Sequence, residues 1–518
     1  MTQVLHIFRK DVRRLWRETA TLNVLLVAYA WETVRRWHSE FSFEFWSEWL
    51  ALLVPLAWIF LILRCVQEES LVGDRQFWVT RPHEWPKLLA AKLLFVLVFI
   101  NVPLFVIDVV LLAKAGFPPA SYLPGLLWLQ LLWTLFLFLP AFALGAITSN
   151  IGQAVLVVIG VILYLVLISE LSREVPQPFS LAGDPPVILE TSLGLATAAA
   201  VVLLQYSRRR TRKSRLFVVG LAITVPLIAA VTPYSRLIDR AYPPAAAGHP
   251  PPVQLSLGPK EKPAPAFAPS DSVAVVIPLD FSGLQENSIV TLDGALTTIE
   301  GPGGERWNSH WRYAGNYLLP ERAHTQVDLT IDRVFFDRVK NTPVNVRISF
   351  AATDLHELGK ERVVTSPSGF AVPGNGRCWY RHGRRGDDIA CLFPLKQPFA
   401  TFKVSAGEMT CPQNPDATGG SLPPDTIGYG WLGHSASQAE LGISPVATTE
   451  LFVWDWGVSD QARTPRLICP GTPLRFSMLE EAGRMRIELR LDGIRLADYQ
   501  ADEMASGAVG AGFYLPRP

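Results

Sequence analysis

Residues 66–94 read VQEESLVGDRQFWVTRPHEWPKLLAAKLL. This polar, proline-broken segment sits between two apolar runs: residues 49–63 carry no charge and residues 93–113 carry one. A polar loop placed between two such runs must face water on one side of a membrane. Its composition is not that of a plain linker. Leu71, Val72, Phe77, Trp78, Val79 and Trp85 are interleaved with Asp74, Arg75, Arg81, His83 and Lys87. Such a segment can lie in the interface with its rings toward lipid and its charges toward water. It also offers a partner protein the mixed aromatic and arginine surface favoured at binding hot spots.

Outward from this loop the chain divides by composition. Its 518 residues are enough for two or more domains, and the charged fraction of 18% is below the usual quarter. Residues 19–233 are dominated by Leu, Val, Ala, Ile, Phe and Trp, whereas residues 240–518 are polar and rich in Pro and Gly. The net charge is +1, and no basic patch exists beyond one membrane-flanking cluster, so a nucleic-acid partner is not expected. The arginine-rich start has no short apolar core with a small-residue cleavage site, so no cleavable signal peptide is expected.

The predicted fold is a polytopic α-helical membrane bundle of about 7 spans followed by an all-β, sandwich-like domain. Residues 1–18 place Val4, Leu5, Phe8, Val12, Leu15 and Trp16 at helical spacing, with Arg9, Lys10, Arg13, Arg14 and Arg17 on the other face. This is the pattern of an interfacial amphipathic helix. The transmembrane domain follows over residues 19–235. Its first span, residues 19–37, has an apolar stretch shorter than the roughly 20 residues a crossing needs, with Glu32, Arg35 and Arg36 at its end. Further spans are expected at residues 49–66, 88–113, 123–147, 151–169, 187–206 and 216–233. The basic cluster at residues 208–215 marks the cytoplasmic side. Counting back by alternation puts the 66–88 loop and the N-terminus inside too, in agreement with the arginines at 9–17; counting forward puts everything after Pro233 outside.

Residues 236–271 form a proline-rich spacer with a short strand at residues 253–257. Residues 272–518 make an extracytoplasmic β domain, single or in two parts. Strands are expected at 273–281, 288–300, 327–331, 344–350, 363–365, 401–404, 451–454, 474–477 and 485–491, with one helical turn at 335–340. Asp293-Gly294, Gly301-Pro302-Gly303-Gly304 and Asp492-Gly493 are turn signals. Cys378, Cys391, Cys411 and Cys469 all fall in this domain, an even count that suggests two disulfides in an oxidising compartment. Cys378 and Cys391 bracket a hairpin and are expected to pair, leaving Cys411 with Cys469. A zinc site is the competing reading, but the spacings match no finger or ribbon.

Motifs for chemistry are missing from the sequence. There is no Walker A pattern, no Gly-x-Ser-x-Gly elbow and no His-Glu-x-x-His, and no catalytic residue, metal ligand or cofactor is expected. The ionisable Asp108, Glu190 and Lys92 and the amide Asn101 fall inside spans. Asp108 and Glu190 are expected near the outer boundary, reaching water, and Lys92 near the inner boundary with its ammonium snorkelling to the surface. Asn101 lies in the same span as Asp108.

The stretch Glu69-Ser70-Leu71-Val72-Gly73-Asp74-Arg75-Gln76-Phe77-Trp78-Val79-Thr80-Arg81-Pro82, followed by Leu88-Leu89-Ala90-Ala91-Lys92-Leu93-Leu94, resembles the cytoplasmic loop of ABC-2 type transporter permease subunits. In that family a Gly-Thr-containing segment and a turn ending in proline precede a lysine-bearing membrane helix; Asp74 stands where threonine is common. Residues 8–16, FRKDVRRLW, look like the family's amphipathic entry helix. The resemblance covers about residues 1–235. It implies a half-transporter of the cell (inner) membrane that exports a substrate. A separate ABC ATPase subunit would dock on Gly73, Asp74, Arg75, Phe77, Trp78, Arg81 and Pro82 and on the entry helix. A second permease copy or paralogue would complete the transporter. The family usually has six spans with both ends inside; seven spans and a large outside domain are departures. Two other readings are a membrane-anchored extracytoplasmic binding or sensory β domain without transport, and a membrane-embedded enzyme, against which the lack of convergent ionisable residues counts.

Overall fold

The computed structural model describes residues 2–38, 44–69, 84–171, 185–232, 234–244, 253–260, 271–320, 324–364, 366, 368–372, 376–383, 386–394, 401–406, 427–428, 443–451 and 473–502. The chain forms two compact units. The first contains Met1–Ile168, Gly183–Thr232 and Glu361–Phe476; the second contains Ser169–Ala182, Pro233–Lys360 and Ser477–Pro518.

The helices are α1 (Thr2–His38), α2 (Glu44–Gln67), α3 (Trp85–Lys114), α4 (Pro119–Ile147), α5 (Ile151–Leu171), α6 (Pro185–Arg208), α7 (Thr211–Val231), α8 (Tyr234–Ala241) and α9 (Arg333–Val339). The strands are β1 (Gln254–Leu257), β2 (Ser272–Ser282), β3 (Ser288–Glu300), β4 (Arg306–Leu318), β5 (His324–Asp332), β6 (Val344–Val364), β7 (Phe370–Val372), β8 (Gly376–Gly383), β9 (Gly386–Pro394), β10 (Thr401–Ala406), β11 (Ile427–Gly428), β12 (Val446–Leu451) and β13 (Pro473–Ile494).

In the first unit, five helices among the described residues are long and apolar enough to cross a membrane: α2 to α6. The runs expected as first and seventh spans are also helical, in α1 and α7, but charge dilutes both: α1 begins with the arginine face, and α7 opens with Arg212, Lys213 and Arg215. The entry helix and the first apolar run are one helix, bent at Leu15 (φ −101°, ψ 15°). That helix runs the height of the bundle. Ile7, Leu15, Leu22 and Leu26 pack with Trp58, Leu61 and Ile62 of α2 and with Leu88 and Phe95 of α3. Farther along, Ala30 and Trp37 pack with Leu111, Leu112 and Phe117 at the other end of α3. Trp58 meets Trp133 and Phe138 of α4 edge-on at 5.3 and 5.6 Å. Gly145 of α4 lets α2 come close, since a Cβ there would lie 3.1 Å from that of Val66.

Both α3 and α4 are interrupted by a π turn, at Leu97–Asn101 and Thr134–Phe138. A proline follows each within two residues, Pro103 and Pro140. Proline removes an N–H donor and crowds the carbonyl one turn back, and a widened turn relieves both. Helix α3 ends in a glycine cap: Gly116 takes φ +82°, and Phe117 N donates to Leu112 O at 2.9 Å.

Four strands of the same unit form a sheet in the order β12-β9-β8-β7. Cys378 and Cys391 face each other directly across β8 and β9 and are disulfide-bonded, as expected. Leu392 and Val446 of this sheet share a core with Phe117 and Leu126, so the sheet packs on the end of the helices remote from Ile7 and Leu88. Cys411 and Cys469 lie outside the described residues.

In the second unit, a three-stranded sheet β1-β2-β5 and the strands β13-β6-β3-β4 enclose one apolar core. Strand β6 shows why: Val344, Val346, Ile348 and Phe350 are buried while Asn345 and Arg347 are exposed, a period of two with one face inward. Helix α9 adds Phe335, Phe336 and Val339 to the core. Its first turn is capped by Asp332, whose Oδ1 accepts from Phe335 N at 2.8 Å. Three details depart from expectation, the first being that Asp492-Gly493 is no turn but lies within the continuous strand β13. Strand β4, RWNSHWRYAGNYL, is too polar to read as a strand yet pairs with β3 along most of its length. Asp293-Gly294 is not a turn but a bulge within β3, at a register shift against both β4 and β6. There Asp293 accepts hydrogen bonds from Tyr242 Oη at 2.9 Å, Thr353 Oγ1 at 2.6 Å and Thr291 Oγ1 at 2.8 Å.

Candidate functional site

The residues expected to dock a partner, Gly73, Asp74, Arg75, Phe77, Trp78, Arg81 and Pro82, lie outside the described residues. The two feet of their loop are described, and they carry a charge network that composition alone does not reveal. Glu68 and Glu69 follow the last turn of α2, and Lys92 lies two turns into α3. Lys92 Nζ donates to Asp11 Oδ2 of α1 at 2.8 Å and also pairs with Glu69 Oε2. Lys10 Nζ reaches Glu69 Oε1 at 2.7 Å, and Arg14 pairs with Glu68 at 2.7 Å. The Lys92 and Asp11 side chains are 0% exposed. The expectation that Lys92 snorkels is therefore wrong. It sits on the face of α3 that packs against α1 and α2, where two carboxylates meet its ammonium, so it gains nothing by reaching out.

The carboxylates differ in environment. Burial pushes the Asp11 carboxyl above its ordinary value of 3.8 and outweighs the pull of Lys92. Burial acts on Glu69 in the same sense, but the Lys92 ammonium and the Lys10 hydrogen bond outweigh it and hold Glu69 below its ordinary 4.5. Lys92 is thus shared between a carboxylate that keeps its charge readily and one that resists it.

The same end of the bundle gathers the other basic segments. Gln67 Nε2, at the end of α2, donates to Thr148 Oγ1 just beyond α4 at 2.8 Å. An Arg215 guanidinium nitrogen, in the first turns of α7, donates to Ile147 O at 3.2 Å. The N-terminal arginines, the feet of the 70–83 loop, the end of α4 and the start of α7 therefore share one end. The disulfide-bonded sheet packs on the other.

A second polar group lies between these ends. Asp108 of α3 is fully buried, so its carboxyl does not reach water, contrary to expectation. Its Oδ2 accepts from Gln130 Nε2 of α4 at 3.1 Å. Asn101 Nδ2, at the π turn of α3, donates to Thr134 Oγ1, at the π turn of α4, at 3.0 Å and to Gln130 Oε1 at 3.3 Å. The two π turns thus touch through side chains. Glu190, the other acid expected near a boundary, is half-buried. Among the described residues no group of three or more His, Cys, Asp and Glu side chains is arranged to hold a metal ion.

No protein-family model matches this chain, and comparison with curated proteins gives no match.

Proposed function

We propose that this chain is the membrane permease subunit of an ABC-2-like transporter, exporting a substrate with ATP hydrolysed on a separate subunit. The chain itself carries no catalytic centre in this reading. Seven helices cross the cell (inner) membrane, α1 to α7. The N-terminus and the 70–83 loop face the cytoplasm, and the residues after Pro233 face outward.

The observation that carries the reading is the buried charge network at the feet of the loop. Glu68 and Glu69 before it and Lys92 after it are tied to Lys10, Asp11 and Arg14 of the entry helix. A partner that pushes on the loop therefore pushes on three helices at once. Charge pairs of this kind behave as rigid joints, because parting them inside a low-dielectric bundle leaves uncompensated charge. The orientation has its own support. Arginine and lysine crowd one end of the helices, as cytoplasmic ends do. The disulfide lies on the sheet at the opposite end, as an oxidising compartment requires.

The test is purification of the tagged full chain from its native membranes in mild detergent, with copurifying polypeptides identified by mass spectrometry. A Walker A ATPase should accompany the wild type and be lost from the Arg75→Glu/Arg81→Glu variant. If no ATPase accompanies the wild type, transport fails and the anchored β-domain reading replaces it. If an ATPase binds both proteins equally, the docking site is wrong.

A further inference from the structure

Among the described residues Asp108 has no counter-charge. It lies in the interior of an apolar span, 0% exposed, and forms no ion pair among the described residues. Its Oδ2 takes the Gln130 amide, while its Oδ1, equally buried, accepts no hydrogen bond. The titratable neighbour that feels its charge is Tyr29 of α1, with Arg36 of the same helix acting on Tyr29. Lys114 lies six positions further along α3. A bare carboxylate so placed is among the costliest groups a membrane bundle can hold, and it is relieved by binding a positive charge.

The geometry selects which one. Gln130 turns its N–H toward Asp108 and its oxygen toward Asn101, and the Thr134 hydroxyl donates to Gln130 O at 2.8 Å. The Gln130 side-chain oxygen is turned to Asn101 and not to the carboxyl, so it does not converge with Asp108 on one point, as the several oxygens around a metal cation must. We propose that Asp108 is an intramembrane proton-binding site, held between the π turns of α3 and α4 by Asn101, Gln130 and Thr134. The proton comes from a hydronium ion: one hydronium O–H bond breaks as an O–H bond forms at Oδ1, a water molecule is left, and the carboxyl goes from one negative charge to none. Separation of α3 from α4 at the π turns removes the Gln130 hydrogen bond, admits water and releases the proton. π turns inside spanning helices are frequent at such functional positions. The inference does not depend on an ATPase partner.

Infrared spectroscopy of the full chain in lipid nanodiscs at neutral pH tests it. The wild type should show a carboxylic-acid C=O band that shifts on isotopic labelling of aspartate carboxyls and is unmoved when sodium is replaced by choline. Asp108→Asn, which keeps shape and neutrality, should lose that band with an unchanged melting temperature. Asp11→Asn and Asp328→Asn, at two other aspartates whose carboxyls burial pushes above the ordinary value, should each retain it. The proposal is overturned by a folded wild type with no aspartic-acid band, by a band that survives Asp108→Asn, or by a band that disappears when sodium is added. If Asp108→Asn fails to fold, the isotope shift in the wild type, with the Asp11→Asn and Asp328→Asn controls, still decides between these outcomes.

Discussion

Replacing Lys92 by methionine keeps the length of the side chain and removes its charge. In the folded protein two carboxylates then lose a shared ammonium. Glu69 keeps Lys10 at 2.7 Å, but Asp11 is left buried with no other ion pair among the described residues. Breaking a buried pair from one side costs about 3–5 kcal/mol. The stranded carboxyl has an escape, which is to take up a proton. For an aspartate with an ordinary value of 3.8, neutralisation at neutral pH costs about 4 kcal/mol, and about 1.4 kcal/mol less for each unit the pH is lowered. The two routes agree, so Lys92→Met should lose about 3–4 kcal/mol at neutral pH, and the loss should shrink on acidification. The assay is equilibrium unfolding in mixed micelles, followed by circular dichroism and repeated across pH. Asp11→Asn in the Lys92→Met background should recover most of the loss, because the asparagine needs no counter-charge. A loss below about 1 kcal/mol, or an Asp11→Asn effect that adds to the first, would refute a buried joint between α1 and α3.

Other perturbations separate the remaining elements. Glu69, held below 4.5, contributes stability that is present above that ordinary value and lost as pH falls through its folded value; Glu69→Gln should flatten the acid limb of the stability profile. Asp11 has the opposite sign: its protonated form favours the fold below 3.8, and that contribution is lost as pH rises through its raised folded value. Asp11→Asn should therefore cost less at neutral pH than Glu69→Gln in the same unfolding assay. Asn101→Ala should cost about 0.6 kcal/mol, the average for a hydrogen bond between membrane helices, and about 1.7 kcal/mol at most. Joint replacement of Cys378 and Cys391 by serine opens a link of sequence separation 13 and should lower stability by about 3 kcal/mol, with the reduced wild type falling to the same value. In the second unit, Asp332→Ala removes the cap of α9 and should cost about 1 kcal/mol, read as a lower melting temperature.

The sequence is most legible where one physical signal repeats. Long apolar runs became helices α2 to α6, and alternating runs such as residues 344–350 became strands, because burial on one side imposes a period that survives averaging over a window. It is least legible where a neighbour supplies the reason. Strand β4 contains Asn308, Ser309 and Asn316, which read as loop, and its conformation is set by pairing with β3. The π turns leave only a trace in sequence, a proline within two residues of each, Pro103 and Pro140. The docking residues at 73–82 lie outside the described residues, so their arrangement adds nothing to either side of this comparison.

The polar residues inside helices were legible in a way that hydropathy averaging hides. What decides their fate is helical phase. Asp11 is the only acid among residues 2–17, and it stands between Ile7 and Leu15 at spacings of four, all three buried. Lys92 stands between Leu88 and Val96 in the same way, and Asp108 between Leu104 and Leu112, again all buried. A charged residue on the buried stripe of a helix cannot reach out without carrying the stripe with it, so it must be neutralised where it stands. Asp11 and Lys92 lie on helices that pack together and carry opposite signs, so each neutralises the other. Asp108 faces an amide and a tyrosine, and its phase gives it no lysine or arginine. The same rule that turns one acid into half of a joint therefore leaves the other dependent on a charge from solution.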